Sequence, residues 1–268
     1  MRVSKAVSKA RQESEDTADS EVPAAVVCAR CGEADCPGCV NDLARSGVVA
    51  LVPWERPGRP LLERLWATAR ATTIDAEHFF ESLPDGSLLP ALRFAVIAEV
   101  IASAALALVV LGPIALLAPQ WARQMLAERW GMLLRLVTFG VPLVAGLLVA
   151  AHAAHGWALG LGARRSSGVR GHARAVRFGL YAAGWDLIIG PLGIIVLGAK
   201  EGLRPALSVA TVASGLPGRS ARSFLRGRYR LEGESARPAL RASYAAAVIV
   251  TLVGAVAIIG AIACALSL

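Results

Sequence analysis

VIASAALALVVLGPIALLAPQWA, residues 100–122, runs for 23 positions without one Asp, Glu, Lys or Arg. As a helix rising ~1.5 Å per residue it spans a ~30 Å hydrocarbon core. Its Leu, Val, Ile and Ala face every side, which a soluble helix rarely does. Pro113 would break an isolated soluble helix, whereas neighbouring helices in a membrane bundle absorb such an interruption. The run reads as a first membrane span and makes the chain an all-α, polytopic membrane protein.

Working outward, residues 136–163 and 242–268 are also free of charge, and residues 178–199 are interrupted only by Asp186 and by Gly190-Pro191. Apolar positions continue through residues 206–213, so residues 174–215 read as a tight hairpin and the bundle as about five spans. Charge separates five spans from four. The connection after the second span carries Arg164, Arg165, Arg170 and Arg174, and residues 216–241 carry seven arginines against Glu232 and Glu234. Five spans place both basic connections in the cytoplasm; four would export one.

The whole chain is 55% hydrophobic with a mean hydropathy of +0.54 and a formal charge of +8. Residues 1–90 hold 10 basic and 14 acidic side chains, and residues 91–268 hold 18 and 6. The positive charge sits between apolar runs, where membrane topology explains it, so nucleic-acid binding is not expected.

Four segments follow. Residues 1–24 are polar and charged and read as a disordered tail, with no apolar run of a signal peptide after the basic start. Residues 25–42 contain Cys28, Cys31, Cys36 and Cys39 as two CxxC pairs four residues apart. Four thiolates satisfy a tetrahedral Zn2+ in a small zinc-ribbon-like module, and the metal would supply folding energy that so short a segment lacks. A redox dithiol pair, disulfides and an iron–sulfur cluster are the alternatives; the first lacks its βαβ context, the second suits an oxidising compartment, and the third has other spacings. Cys264 reads as a packing residue. Residues 43–90 form a juxtamembrane linker with a short amphipathic helix over residues 61–72, lying on the bilayer or on the end of the bundle. Residues 91–268 are the transmembrane domain.

Three ionisable residues fall at membrane depth in this reading: Asp186, Lys200 and Glu201. Asp186 and Lys200 pair only if the chain folds back at Gly190-Pro191; otherwise Lys200 and Glu201 snorkel at an interface. His152 and His155 lie about one turn apart with no carboxylate or thiol nearby in sequence, and read as a packed or interfacial pair.

The chain resembles the Yip family, five-span membrane proteins that interact with Rab/Ypt GTPases, and in particular bacterial members with a cysteine-rich N-terminal module. The resemblance rests on Pro53-Trp54-Glu55, on Phe79-Phe80-Glu81-Ser82-Leu83-Pro84 ahead of Leu92-Arg93-Phe94-Ala95, and on Tyr181 followed by Pro191-Leu192-Gly193. It implies a cytoplasmic N-terminus, the bacterial plasma membrane and a role in membrane organisation or trafficking. Residues 186–191, DLIIGP, echo the family's Asp-Leu-Tyr-Gly-Pro motif without its Tyr and with one residue more. GTPase binding is therefore not implied.

HExxH, GxSxG, P-loop and GxGxxG motifs are absent from the chain, and a non-enzymatic role follows. The expected function is a membrane scaffold whose zinc module recruits a cytoplasmic protein partner, with oligomers allowed. A transporter or channel component using Asp186 and Lys200, and a metal- or redox-responsive sensor, are the alternatives.

Overall fold

The computed structural model describes residues 52–167, 173–202, 204–206, 208 and 215–267. The cysteine segment, the N-terminal tail and the side chain of Cys264 lie outside the described residues. Every regular element among those described is helical. A 3-10 turn, Pro53–Glu55, precedes α1 (Leu61–Thr73), α2 (Ala76–Glu81), α3 (Leu88–Leu117), α4 (Pro119–Glu128) and α5 (Trp130–Ser167). Then come α6 (Ala173–Ala182), α7 (Gly184–Ile188), α8 (Pro191–Glu201), α9 (Leu216–Tyr229) and α10 (Arg237–Ser267).

Proline and glycine set the breaks. α3 continues through Pro113, as expected for a packed bundle, and stops before Pro119, where Ala118 is drawn out of the helical region (φ −128°, ψ 64°). Gly190 is extended and Pro191 opens α8, a position where its missing N–H costs nothing. Arg230 ends α9 in the left-handed region (φ 54°), and the Leu231 N–H reaches back to the Leu225 carbonyl.

Four helical stretches are long and apolar enough to cross a membrane: Leu88–Leu117, Trp130–Ser167, Ala173–Glu201 and Gly233–Gly260. The first begins twelve residues earlier than the charge-free run, because α3 carries Arg93 and Glu99 within its length. The third is broken into α6, α7 and α8.

Burial divides these helices along their length. The buried core takes Ala91, Phe94, Ala95 and Ala98 from α3, Leu159 and Ala163 from α5, Phe178 and Tyr181 from α6, and Phe224 from α9. Val52, Trp54, Leu65, Phe80 and Leu83 pack into the same cluster. The other halves of the long helices are bare: Leu116 is 83% exposed, Phe139 70% and Val256 70%. Apolar surface on this scale is incompatible with water, at ~25 cal/mol per Å², and is what a lipid chain covers.

The stretch over residues 52–87 is part of that core. Trp54 donates its indole N–H to the Pro90 carbonyl (2.8 Å). α1 buries Leu65, Thr68, Ala69 and Thr72, and the Trp185 indole N–H donates to the Thr72 carbonyl (2.8 Å). On the flank of that face, Leu62 and Trp66 stay exposed. The helix thus packs on the bundle with one side and presents apolar side chains beside it.

Charge complementarity holds the stretch in place. Four of its carboxylates each take an arginine from the transmembrane half: Glu55–Arg177 (2.6 Å), Glu77–Arg219 (3.4 Å), Glu81–Arg226 (2.6 Å) and Asp85–Arg174 (2.6 Å). The two-pronged contact from Arg226 holds the Glu81 carboxyl below its ordinary range.

These pairs constrain the path of the chain. The start of α3, the start of α6 and all of α9 lie at one end, and Gly162 near the end of α5 touches Ala239 near the start of α10. The chain leaves that end along α3, returns along α5, and leaves finally along α10. Between Arg174 and Arg219 the described residues hold the candidate span Ala173–Glu201. Four candidate spans stand among the described residues where the sequence leads one to expect about five. Residues 203, 207 and 209–214, in the second limb of the expected hairpin, lie outside the described residues.

Candidate polar site in the helical bundle

Two polar clusters are built into the helical packing. The first forms where α5 and α6 approach most closely. A Cβ on Gly156 would lie 2.1 Å from the Ala175 carbonyl oxygen, and one on Gly179 would lie 2.1 Å from the His152 carbonyl oxygen. Only glycine permits this backbone-to-backbone contact, a packing mode typical of membrane helices. It sets His152, one turn before Gly156, level with α7. The Thr72–Trp185 hydrogen bond holds α7 from the other side and fixes the neighbouring Asp186.

Asp186 Oδ2 stands 3.0 Å from His152 Nε2, and Glu99 Oε1 stands 3.1 Å from the same nitrogen. The Glu99 side chain is fully buried, that of His152 is 15% exposed and that of Asp186 36%. A single imidazole N–H serves one carboxylate, and it is hydrogen-bonded to Asp186. Neither oxygen of Glu99 has a hydrogen-bond partner. The charged groups that face Glu99 and Asp186 are His152 and each other. The three donor atoms lie within 4.8 Å of one another, so the trio meets the distance requirement for a shared cation.

Several sequence expectations are corrected here. Asp186 is paired with His152, not with Lys200, which is exposed in the last turn of α8. His152 has no carboxylate near it in sequence, but Glu99 and Asp186 reach it from distant positions on α3 and α7. His155 does not join it: Ser243 Oγ is 2.8 Å from its Nδ1 and donates to its carbonyl oxygen at 2.7 Å. That residue is the packed histidine which the sequence leads one to expect of both. Glu99 escapes a reading by hydropathy because it stands one residue before the charge-free run; an acid at that edge is the available signal.

The second cluster secures the 3-10 turn. Glu55 Oε1 accepts from Arg177 Nη2 and from the Tyr181 hydroxyl, each at 2.6 Å. Arg177 is fully buried. Gly86 makes room for its guanidinium, since a Cβ there would sit 1.6 Å from Nη1. This network is structural in character: it neutralises a buried cation and ties the start of the described chain to α6. Cys28, Cys31, Cys36 and Cys39 lie outside the described residues. Compared with family models, with curated proteins and with solved structures, the chain finds no match.

Proposed function

We propose that the protein is an integral membrane scaffold of Yip-like architecture that carries a cytoplasmic four-cysteine zinc module at the membrane surface and recruits a protein partner there. The observation that carries this reading is the set of four ion pairs clamping residues 55–85 onto the arginine-rich end of the bundle. The positive-inside rule assigns such an end to the cytoplasm.

Topology and metal content test it together. A reporter fused to the C-terminus is expected on the side of the membrane opposite the N-terminus. Full-length protein in detergent is expected to bind one more zinc per chain than the Cys28→Ser/Cys31→Ser variant. Equal zinc in the two proteins overturns the module, and both termini on one side overturn the five-span reading.

A second reading, a transport component, is favoured by one specific observation: ionisable side chains buried among apolar helices mark cation or proton pathways in membrane proteins. Under it, Asp186→Asn abolishes flux in reconstituted vesicles while topology and zinc content stay as in the parent protein. Unchanged flux removes this reading.

A further inference from the structure

We propose that Glu99, His152 and Asp186 form a binding site for a divalent transition-metal cation, with two carboxylate oxygens and one imidazole nitrogen as ligands. The inference rests on the bundle alone and is independent of the cysteine module.

Spacing is the first argument. Metal–ligand bonds of ~2.1 Å at right angles place adjacent donors ~3.0 Å apart. The two nitrogen-to-oxygen separations are 3.0 and 3.1 Å. These two edges already have the length that a cation would impose, and the third lies within 4.8 Å.

Unpaired hydrogen-bonding capacity is the second. Glu99 is fully buried, and its one nitrogen neighbour, His152 Nε2 at 3.1 Å, is shared with Asp186. A buried carboxylate without a donor is costly, and the single His152 N–H is already given to Asp186. A cation bound to all three groups satisfies both acids at once, where a proton on His152 serves only one of them.

Charge is the third. Two carboxylates with a neutral imidazole carry −2, which a divalent ion cancels. The charged groups facing the two acids include no lysine or arginine that would do so instead. Binding requires His152 Nε2 without its proton, so the ion displaces the Nε2–H···Asp186 hydrogen bond rather than adding to it.

The ligand set selects the class of ion. Oxygen donors with one imidazole suit Mn2+, Fe2+, Co2+ or Zn2+, whereas an all-thiolate site prefers soft metals and zinc. Entry is from the side of Asp186, the most exposed of the three, next to the helix break at Gly190. Three protein ligands leave further coordination positions for water or an exchangeable group.

Mn2+ is the probe, because it discriminates between this site and the thiolate module. Full-length protein in detergent is titrated with Mn2+ in the presence of excess Mg2+, and free Mn2+ is read from its six-line electron paramagnetic resonance signal. The parent protein is expected to bind one Mn2+ per chain, and Cys28→Ser/Cys31→Ser to bind it equally. Glu99→Gln and Asp186→Asn are expected to weaken binding at least as much as the ~10–100-fold known for outer-shell partners. Asp186, partly exposed, is the variant that folds if Glu99→Gln does not; elution volume and thermal unfolding report on both. The proposal is overturned if the parent protein takes up no Mn2+, or if the folded Asp186→Asn protein binds it as tightly as the parent.

Discussion

Replacing Glu55 by Ala is expected to lower the unfolding free energy by about 3–5 kcal/mol, the cost of leaving a buried charge uncompensated. Arg177 is fully buried in the core, and its Nη2 bond to Glu55 is the ion pair it makes among the described residues. The same Glu55 oxygen accepts from Tyr181, so the substitution also strands a hydroxyl. Equilibrium unfolding in mixed detergent measures the loss. Replacing the whole group with apolar side chains, Glu55→Leu/Arg177→Met/Tyr181→Phe, is expected to recover most of it, because similar exchanges of buried ion pairs are neutral or stabilising. A loss below about 1 kcal/mol for Glu55→Ala would place the pair with screened surface bridges and refute the clamp.

Gly179→Ala is expected to destabilise by about 1–3 kcal/mol, the usual cost of an overpacked contact. The sign is informative, since alanine is the better helix former by about 1 kcal/mol. The added methyl would sit 2.1 Å from the His152 carbonyl oxygen, so α5 and α6 must separate. Gly198→Ala, also within a helix, meets no atom within 4 Å and is expected to gain about 0.5–1 kcal/mol. Thermal unfolding of the two variants side by side checks the contrast. Because Gly179 lies against His152, its substitution should also weaken Mn2+ binding; a stability gain at both glycines would contradict the backbone contact.

Much of the architecture was legible in local sequence. Charge-free runs announce membrane helices because no water is available inside a bilayer to solvate a charge or a free backbone group. Apolar positions at helical spacing placed a helix over residues 61–72, and α1 occupies Leu61–Thr73. The Gly190-Pro191 break follows from the steric demands of proline on the residue before it, and Pro119 ends the first span at Leu117, inside residues 100–122 that the sequence alone runs together. The concentration of arginine in two connections anticipated that both lie at one end.

The polar site was not legible in this way. Glu99, His152 and Asp186 are separated by 53 and 34 residues, and no local pattern links them. Their meeting depends on Gly156 and Gly179 allowing two backbones to touch, and on Trp185 docking against α1. Glu99 looked like the polar margin of a span, although its helix begins eleven residues earlier at Leu88. Nor does the sequence say which carboxylate each arginine meets, for a charge count carries no distance.

The sequence alone determined the solvent of this protein and its helical class, because hydropathy and helical period are properties of neighbouring residues and act through short-range physics. Tertiary structure alone decided the burial of residues 52–87 in the core and the convergence of three ligand-type side chains. Each of these is set by close packing between distant segments, where a single missing Cβ determines which side chains stand 3 Å apart.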